Sequence, residues 1–182
     1  MASSAEASYA VVEPVIEFKM SERAVFRTGM GEIEIEFDRE KAPVTVENFV
    51  NYVKEGFFDG TVFHRVIRGF VIQGGGHLPD GSMKETRSPI KLESKNGLKN
   101  DRGTLSMART NDPNSATSQF FINLVDNASL NPGPGNDGYA VFGKVVAGMD
   151  IVDRVANLRV SSRGYNSDWP VIDVVVEKAY MK

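Results

Sequence analysis

The chain has 182 residues, of which 41% are hydrophobic and 25% are charged, with a formal net charge of −3 and no cysteine. This length suits a single domain with a buried core, and the slight negative charge gives no electrostatic reason to expect nucleic acid or an anionic membrane as a partner. The lack of cysteine excludes disulfides, thiol nucleophiles and cysteine metal sites, and because it fits a reducing compartment we expect a cytoplasmic protein.

The start of the chain does not have the pattern of a targeting signal. Residues 1–20 lack a basic beginning, carry three glutamates and are interrupted by Pro14. We expect residues 1–22 to be an N-terminal extension, either disordered or introduced by cloning, ahead of one domain that covers residues 23–182.

The first predicted element is a β-hairpin. Residues 24–28 and 32–37 are strand-like and flank a short turn that contains two glycines. In the second strand Ile33, Ile35 and Phe37 alternate with glutamates, which predicts one buried face and one face in solvent.

The clearest helical pattern covers residues 43–56. Pro43 suits the first turn of a helix, and Gly56 supplies the stop. The buried stripe predicted for this helix consists of Val46, Phe49, Val50 and Val53. A second, shorter helix is predicted over residues 148–155, and a strand rich in valine and isoleucine over residues 171–179.

The most informative stretch is the run FHRVIRGFVIQGGG at residues 63–76. Alternate side chains of a strand share a face, so Phe63, Arg65 and Ile67 should point together. A cation between apolar residues is unfavourable on a half-buried surface unless something uses it. The alternative is an edge strand with a solvated arginine.

The second half of this run ends in three glycines. Val71 and Gln73 should share a face of the strand that leads into them. Glycines at this place let another part of the backbone approach closely, or let the chain turn through positive φ. The alternative is a flexible turn without a function.

Most catalytic chemistries lack their residues in this chain. His64 and His77 are the only histidines, which is too few donors at metal-ligand spacing for a zinc site. There is no Gly-x-Ser-x-Gly elbow, no phosphate-binding loop, and no set of aromatics for RNA stacking. We therefore predict no metal and no cofactor.

The predicted elements are many short strands, glycine-containing turns and two helices. This pattern is typical of a mainly β domain, either a barrel or a sandwich, and periodicity alone does not choose between the two.

Three stretches in order resemble the cyclophilins, a family of peptidyl-prolyl cis-trans isomerases. They are FHRVIRGFVIQGGG, LSMAR followed by SQFFIN, and YAVFGKVVAGMDIVD. The resemblance runs from about Arg23 to the C-terminus, and the short loop after Gly76 is similar to the compact bacterial cytoplasmic branch. It implies a closed eight-stranded antiparallel β-barrel capped by two α-helices, with the active face on the outside of the barrel.

The function implied by the resemblance is rotation about X-Pro peptide bonds in unfolded or flexible chains, which assists protein folding. Its partners would be proline-containing polypeptides, bound by a monomer. One alternative is a proline-peptide-binding or chaperone module with incidental isomerase activity, and another is a β-barrel carrier of small ligands. Retention of Arg65 favours the enzyme, because binding alone needs an apolar cup but no cation.

The resemblance also implies roles for individual residues. Arg65 falls on the catalytic arginine, and Gln73 on the glutamine that binds the substrate backbone and steadies that arginine. The implied walls of the proline pocket are Phe70, Val71, Phe121 and Leu130. The other implied groove residues are His64, Ala108, Arg109, Gln119 and Tyr139.

Neighbouring residues leave some alternatives. Phe120 and Phe121 must face opposite sides of a strand, and we expect Phe121 at the pocket and Phe142 in the core. Arg109 either lines the groove or is a solvated cation at its rim. Relatives that bind cyclosporin tightly carry tryptophan before the pocket leucine, where this chain has Ser129, so we expect weak cyclosporin binding.

Overall fold

A computed structural model describes residues 9–12, 14 and 21–182. This part of the chain contains ten β-strands, two α-helices and a short 3-10 helix at Ala128–Leu130. Neither α-helix in this part is long and apolar enough to cross a bilayer. The elements are β1 Arg23–Thr28, β2 Gly31–Phe37, α1 Pro43–Lys54, β3 Arg65–Ile67, β4 Val71–Gly74, β5 Thr104–Met107, β6 Phe120–Asn123, β7 Val141–Ala147, α2 Met149–Ala156, β8 Val160–Arg163, β9 Asn166–Pro170 and β10 Val176–Met181.

Eight strands form one antiparallel sheet in the order β10-β1-β2-β7-β5-β6-β4-β3, and β8 and β9 pair separately. The two edges of the large sheet meet. The Phe63 N–H donates to the Val174 carbonyl at 3.2 Å, and the Val176 N–H donates to the Thr61 carbonyl at 2.8 Å. The predicted eight-stranded antiparallel fold with two α-helices is confirmed, and these few backbone bonds, rather than a continuous ladder, join its edges.

The local predictions for the first hairpin and the first helix are confirmed. The hairpin pairs β1 with β2, and the Thr28 hydroxyl donates to the Gly31 carbonyl at 2.7 Å across the turn. The predicted apolar stripe of α1 is buried. The first turn of α1 is capped from a distance, because the Glu93 carboxylate accepts hydrogen bonds from the N–H and the hydroxyl of Thr45, both at 2.6 Å.

Aromatic rings from α1 and the sheet fill the interior. Phe49 of α1 lies at the centre, with ring-centroid distances of 4.8 Å to Phe58, 5.2 Å to Phe120 and 4.9 Å to Phe142. Such tilted and edge-on pairs add to the stability that burial of the rings provides. Phe120 and Phe142 are therefore core residues, as predicted.

The predicted strand at residues 171–179 is wrong at its start. The strand begins only at Val176, whereas Val171 and Ile172 are 49% and 76% exposed. The Asp173 carboxylate accepts hydrogen bonds from the Trp169 indole and from Arg163, so the chain turns here before it enters the sheet.

The predicted shared face of Phe63, Arg65 and Ile67 is also wrong at Phe63. Phe63 packs in the core, as does Val66, whereas Arg65 and Ile67 are partly exposed. Alternation requires a continuous strand, and the ladder of β3 begins only at Arg65.

Candidate active site

A groove of about 470 Å³ lies on the outer face of the sheet. The structure brings all eleven predicted site residues together in it: His64, Arg65, Phe70, Val71, Gln73, Ala108, Arg109, Gln119, Phe121, Leu130 and Tyr139. Sequence reasoning missed three further lining residues, which are His77, Met83 and Asn166.

Strand alternation separates the groove from the core. In β4 and β6, Ile72 and Phe120 point into the core cluster. Their neighbours Gln73 and Phe121 point outward and are ladder partners of each other, and Gln73 is also the partner of Arg65. A cation, an amide and an aromatic ring therefore stand in one row across three adjacent strands.

One side of the groove is polar and held by a chain of side-chain hydrogen bonds. Arg65 donates to the Gln73 carbonyl oxygen at 3.1 Å, and the Gln73 amide donates to Gln119 at 3.0 Å. Within residues 9–12, 14 and 21–182, no carboxylate forms an ion pair with Arg65. The guanidinium is thus oriented, yet its charge is not neutralised.

The glycines after β4 allow this arrangement. Gly75 has a φ of +94°, and a Cβ there would lie 2.7 Å from the Ser118 carbonyl oxygen. A Cβ on Gly76 would lie 2.8 Å from Cγ of Gln119. Both predicted uses of glycine, positive φ and close approach, occur here and let Gln119 reach Gln73.

The other side of the groove is an apolar cup. The rings of Phe121 and Tyr139 pack edge to face, with a distance of 5.6 Å between their centroids. Phe70 comes from the turn between β3 and β4, where Gly69 has a φ of +71°. Leu130 ends the 3-10 helix, and its carbonyl accepts the Tyr139 N–H at 2.9 Å. The cup therefore joins two strand residues, Val71 and Phe121, with residues from three loops.

Arg109 is anchored at the rim of the groove. Its guanidinium lies 4.5 Å from the centre of the Tyr139 ring and donates to the Gly138 carbonyl at 2.8 Å. Cation–π contact and hydrogen bonding hold the arginine against the cup. Of the two interpretations left open by the sequence, the geometry favours a groove residue.

A buried cluster of His64, His77 and Trp169 lies beside Arg65, and its two histidines form part of the lining of the groove. The two imidazole rings lie 3.9 Å apart between centroids and are tilted by 32° to each other. The indole ring packs edge-on against both, at centroid distances of 5.9 and 5.7 Å. Neither Nδ1 atom has a hydrogen-bond partner among the described residues. Sequence reasoning missed this cluster, because Trp169 is far from the histidines in the chain and no local pattern links them.

The cluster is neutral near neutral pH. Burial, then repulsion from the protonated form of His77 and from the charge of Arg65, lowers the pKa of His64 to about 3. Burial also lowers the pKa of His77. A neutral, buried imidazole in this state is poorly suited to proton transfer at pH 7. The site therefore offers a fixed cation and an apolar cup rather than an acid–base pair.

Elsewhere in the described residues, neither a second cleft nor a possible metal site is a better candidate for the active site than this groove. A larger cleft of about 890 Å³ lies near Glu22 and Leu98, but carboxylates and cations line much of it and it has no aromatic cup. No cluster of three or more His, Cys, Asp or Glu side chains in this part of the chain could hold a metal ion.

Comparison with known proteins agrees with this geometry. The family model of the cyclophilin type peptidyl-prolyl cis-trans isomerase/CLD matches residues 23–181. Peptidyl-prolyl cis-trans isomerase A of Dickeya dadantii is 47% identical over 172 residues, which cover 94% of this chain and 90% of that protein. Isomerase B of Escherichia coli is 52% identical over 155 residues, or 84% of this chain and 94% of that protein.

A crystal structure of a cyclophilin type peptidyl-prolyl cis-trans isomerase from Cryptosporidium parvum superposes with a TM-score of 0.74 at 26% identity. The match covers 90% of this chain and 98% of that chain. The chain belongs to the cyclophilin family of peptidyl-prolyl cis-trans isomerases. It is an enzyme that accelerates rotation about X-Pro peptide bonds, and the predicted likeness to bacterial members is confirmed.

Proposed function

We propose that the groove performs this isomerisation with Arg65 as its catalytic residue. The C–N bond has partial double-bond character, so rotation faces a barrier of about 18–20 kcal/mol. Unaided exchange at an X-Pro bond takes roughly tens to hundreds of seconds. No covalent bond to the protein and no proton transfer is needed to lower this barrier.

The proposed mechanism uses the difference between the planar and the twisted amide. In the twisted transition state amide resonance is lost, and the prolyl nitrogen regains a lone pair. A guanidinium N–H directed at that nitrogen binds the twisted form better than the planar form, which is the condition for catalysis. Arginine suits this role because it stays ionised and presents its donors in a fixed fork.

The observation that carries the proposal is the state of Arg65. Gln73 orients the guanidinium at 3.1 Å, and in the described part of the chain no carboxylate forms an ion pair with it. The apolar cup stands beside it in the same groove. An oriented donor that needs no reorganisation stabilises a developing lone pair well.

We assign the remaining groove residues to substrate binding. Gln73 also contacts the substrate backbone. The proline ring occupies the cup, whose walls Phe70, Val71, Phe121 and Leu130 stand against the Tyr139 ring. The residues that precede and flank the proline contact His64, Ala108, Arg109, Gln119 and Tyr139.

Substitution of Arg65 tests the catalytic assignment. Arg65→Ala should lower kcat/KM by about 10²–10³, mainly through kcat, because one preorganised donor is lost from the transition state. Arg65→Lys should restore little, because the fork geometry is lost. NMR exchange on a short Xaa-Pro peptide measures both constants.

Arg68→Ala is the matched control, since Arg68 lies in the same hairpin, bonds to the Asn157 carbonyl and does not line the groove. It should retain full activity. Unchanged kcat in folded Arg65→Ala, with peptide binding retained, would overturn the assignment of Arg65, because another group would then stabilise the twisted amide.

We further infer that the protein acts as a cytoplasmic monomer on flexible chains and assists their folding. The lack of cysteine and the completeness of the groove within one chain support this. Light scattering after size exclusion should give the monomer mass of 20.0 kDa. A concentration-dependent dimer would contradict it.

Weak binding of cyclosporin is the last part of the proposal. Ser129 is exposed in the 3-10 helix beside Leu130, so it offers neither an aromatic face nor an indole donor at the rim of the cup. Ser129→Trp should tighten inhibition by roughly 30- to 1,000-fold, since a central aromatic anchor contributes about 2–4 kcal/mol. Its kcat/KM on small peptides should change by no more than a few-fold. Nanomolar inhibition of the unchanged protein would contradict the assignment of Ser129.

A further inference from the structure

The strands hold only part of the cup in place. Of its walls, Val71 and Phe121 lie in strands and are held by ladder hydrogen bonds. Phe70, Leu130 and Tyr139 lie outside every strand. These three residues must nevertheless keep a fixed separation if the proline ring is to fit between them.

A buried chain of asparagine side chains runs between these loops. At one end, the Asn127 amide donates to the Phe70 carbonyl at 3.0 Å and to the Asn123 carbonyl oxygen at 2.9 Å. The Asn123 amide donates in turn to the Asn100 carbonyl oxygen at 3.1 Å. Asn100 and Asn123 are fully buried, and Asn127 is 8% exposed.

The other end of the chain reaches the opposite wall. The Asn100 amide donates to the Leu130 carbonyl at 3.1 Å and lies 3.4 Å from the Tyr139 carbonyl. Its carbonyl oxygen also accepts the Ser106 hydroxyl at 2.6 Å. The network therefore ends on the backbone of the three cup residues that lie outside the strands.

Asparagine is suited to this connection because its amide both donates and accepts. A buried polar network in which every member is satisfied is rigid, and removal of one member leaves its partners unpaired. We propose that Asn100, Asn123 and Asn127 are positioning residues that fix the separation of the two walls of the proline cup. This inference rests on the cup assigned under the proposed function.

The kinetic signature follows from what the cup does. The cup grips the proline ring in both the planar and the twisted state, so its distortion removes binding that is common to both. Loss of such uniform binding raises KM and leaves kcat nearly unchanged, whereas loss of Arg65 lowers kcat. The two constants therefore separate positioning of the cup from catalysis.

Asn127→Ala is the principal test, because Asn127 lies at the edge of the network and its loss should leave a folded protein. We expect KM for an Xaa-Pro peptide to rise by about 3- to 10-fold with kcat within about twofold, measured by NMR exchange well below the melting temperature. Asn123→Ala, at the centre, should raise KM further where the variant folds.

Thr61→Val is the matched control. Thr61 is fully buried, and its hydroxyl donates to the Phe58 carbonyl at 2.6 Å, outside the groove. The control also loses one buried side-chain hydrogen bond, so its melting temperature should fall while KM stays unchanged. An unchanged KM in Asn127→Ala with a lowered melting temperature would overturn the proposal.

A double variant tests whether the asparagines act as one unit. Asn100→Ala combined with Asn127→Ala should raise KM little more than the larger single effect, because either change breaks the same path of side-chain hydrogen bonds, while the backbone bond from the Asn127 N–H to the Asn100 carbonyl remains in every variant. Fully additive effects would overturn the connection. Phe121→Ala tests the proline cup itself. If the cup does not bind the proline ring, Phe121→Ala should leave KM unchanged, whatever the asparagine variants show.

Discussion

Strands β4 and β6 have an inner face that packs in the core and an outer face that lines the groove. On the inner face, Phe120 lies within 6.0 Å of the rings of Phe26, Phe49, Phe58 and Phe63. On the outer face, its neighbour Phe121 is nearly as buried but meets only the Tyr139 ring among the described residues. The inner ring is held by dense packing, whereas the outer ring belongs to a groove that must stay open for a substrate. Substitution of Phe120 should therefore mainly lower stability, whereas substitution of Phe121 should mainly weaken substrate binding.

The largest expected effect comes from truncation of these two rings. Phe120→Ala should lower the free energy of unfolding by about 3–5 kcal/mol, because it leaves a cavity among packed rings. Phe121→Ala should lower it by only about 1–2 kcal/mol but raise KM by roughly 10-fold. Urea denaturation and peptide kinetics on both variants measure the contrast.

Equal losses of stability in the two variants, with KM unchanged in both, would contradict the division between the faces. A raised KM in Phe120→Ala at a temperature where it is fully folded would show that the core ring also shapes the groove.

The buried histidines beside Arg65 should make the stability of the protein depend on pH. The pKa of folded His64 is about 3 against an ordinary value of 6.5. Between these values the unfolded chain binds a proton that the folded chain does not. The free energy of unfolding therefore rises with pH, and the contribution of His64 to this rise ends at about pH 6.5. From pH 7 to pH 5 the loss should be about 2 kcal/mol, at about 1.4 kcal/mol per pKa unit.

His64→Gln should reduce this slope above pH 5, where the carboxylates are still ionised, and the slope that remains belongs to His77, whose pKa is also lowered by burial. Activity of the unchanged enzyme should stay nearly level from about pH 6 to 8, because His64 remains neutral throughout. Denaturation and exchange kinetics across pH measure the two profiles. A sigmoidal activity profile that disappears in His64→Gln would assign that residue a role in proton transfer.

The smallest effect concerns the start of the chain. Most of the predicted extension at residues 1–22 lies outside the described residues, although Glu22 is described. The Glu22 carboxylate accepts two hydrogen bonds from Arg39, at 2.6 and 2.9 Å, and its carbonyl accepts the Phe37 N–H at 2.9 Å. Glu22 thus contacts the barrel, just ahead of the predicted domain boundary at residue 23.

Removal of residues 1–20 should leave activity and melting temperature nearly unchanged. Removal of residues 1–22 should lower the free energy of unfolding by about 1 kcal/mol, since the ion pair is partly exposed and one backbone hydrogen bond is lost. Calorimetry on the two truncations measures the difference. A large loss with the shorter truncation would show that earlier residues pack on the barrel.

The sequence by itself determined most of the local structure and eleven of the fourteen residues that line the groove. Alternation of apolar residues predicted β2, and helical spacing with Pro43 predicted α1, because both patterns depend on neighbours a few residues apart. The glycine run and the resemblance to the cyclophilins placed eleven residues that the fold then assembled. The roles of these residues stay predictions until the variants are measured.

Only the tertiary structure decided how distant residues support that groove. Trp169 against His64, Glu93 at the start of α1, and the bond from Asn100 to Asn123 join residues that are far apart in the chain. The periodicity of the sequence does not predict such contacts, because they depend on how the sheet curls and brings distant segments together. The same reason explains the error at Phe63, because the ladder of β3 begins only at Arg65 and the Phe63 backbone bonds instead to Val174 at the other edge of the sheet.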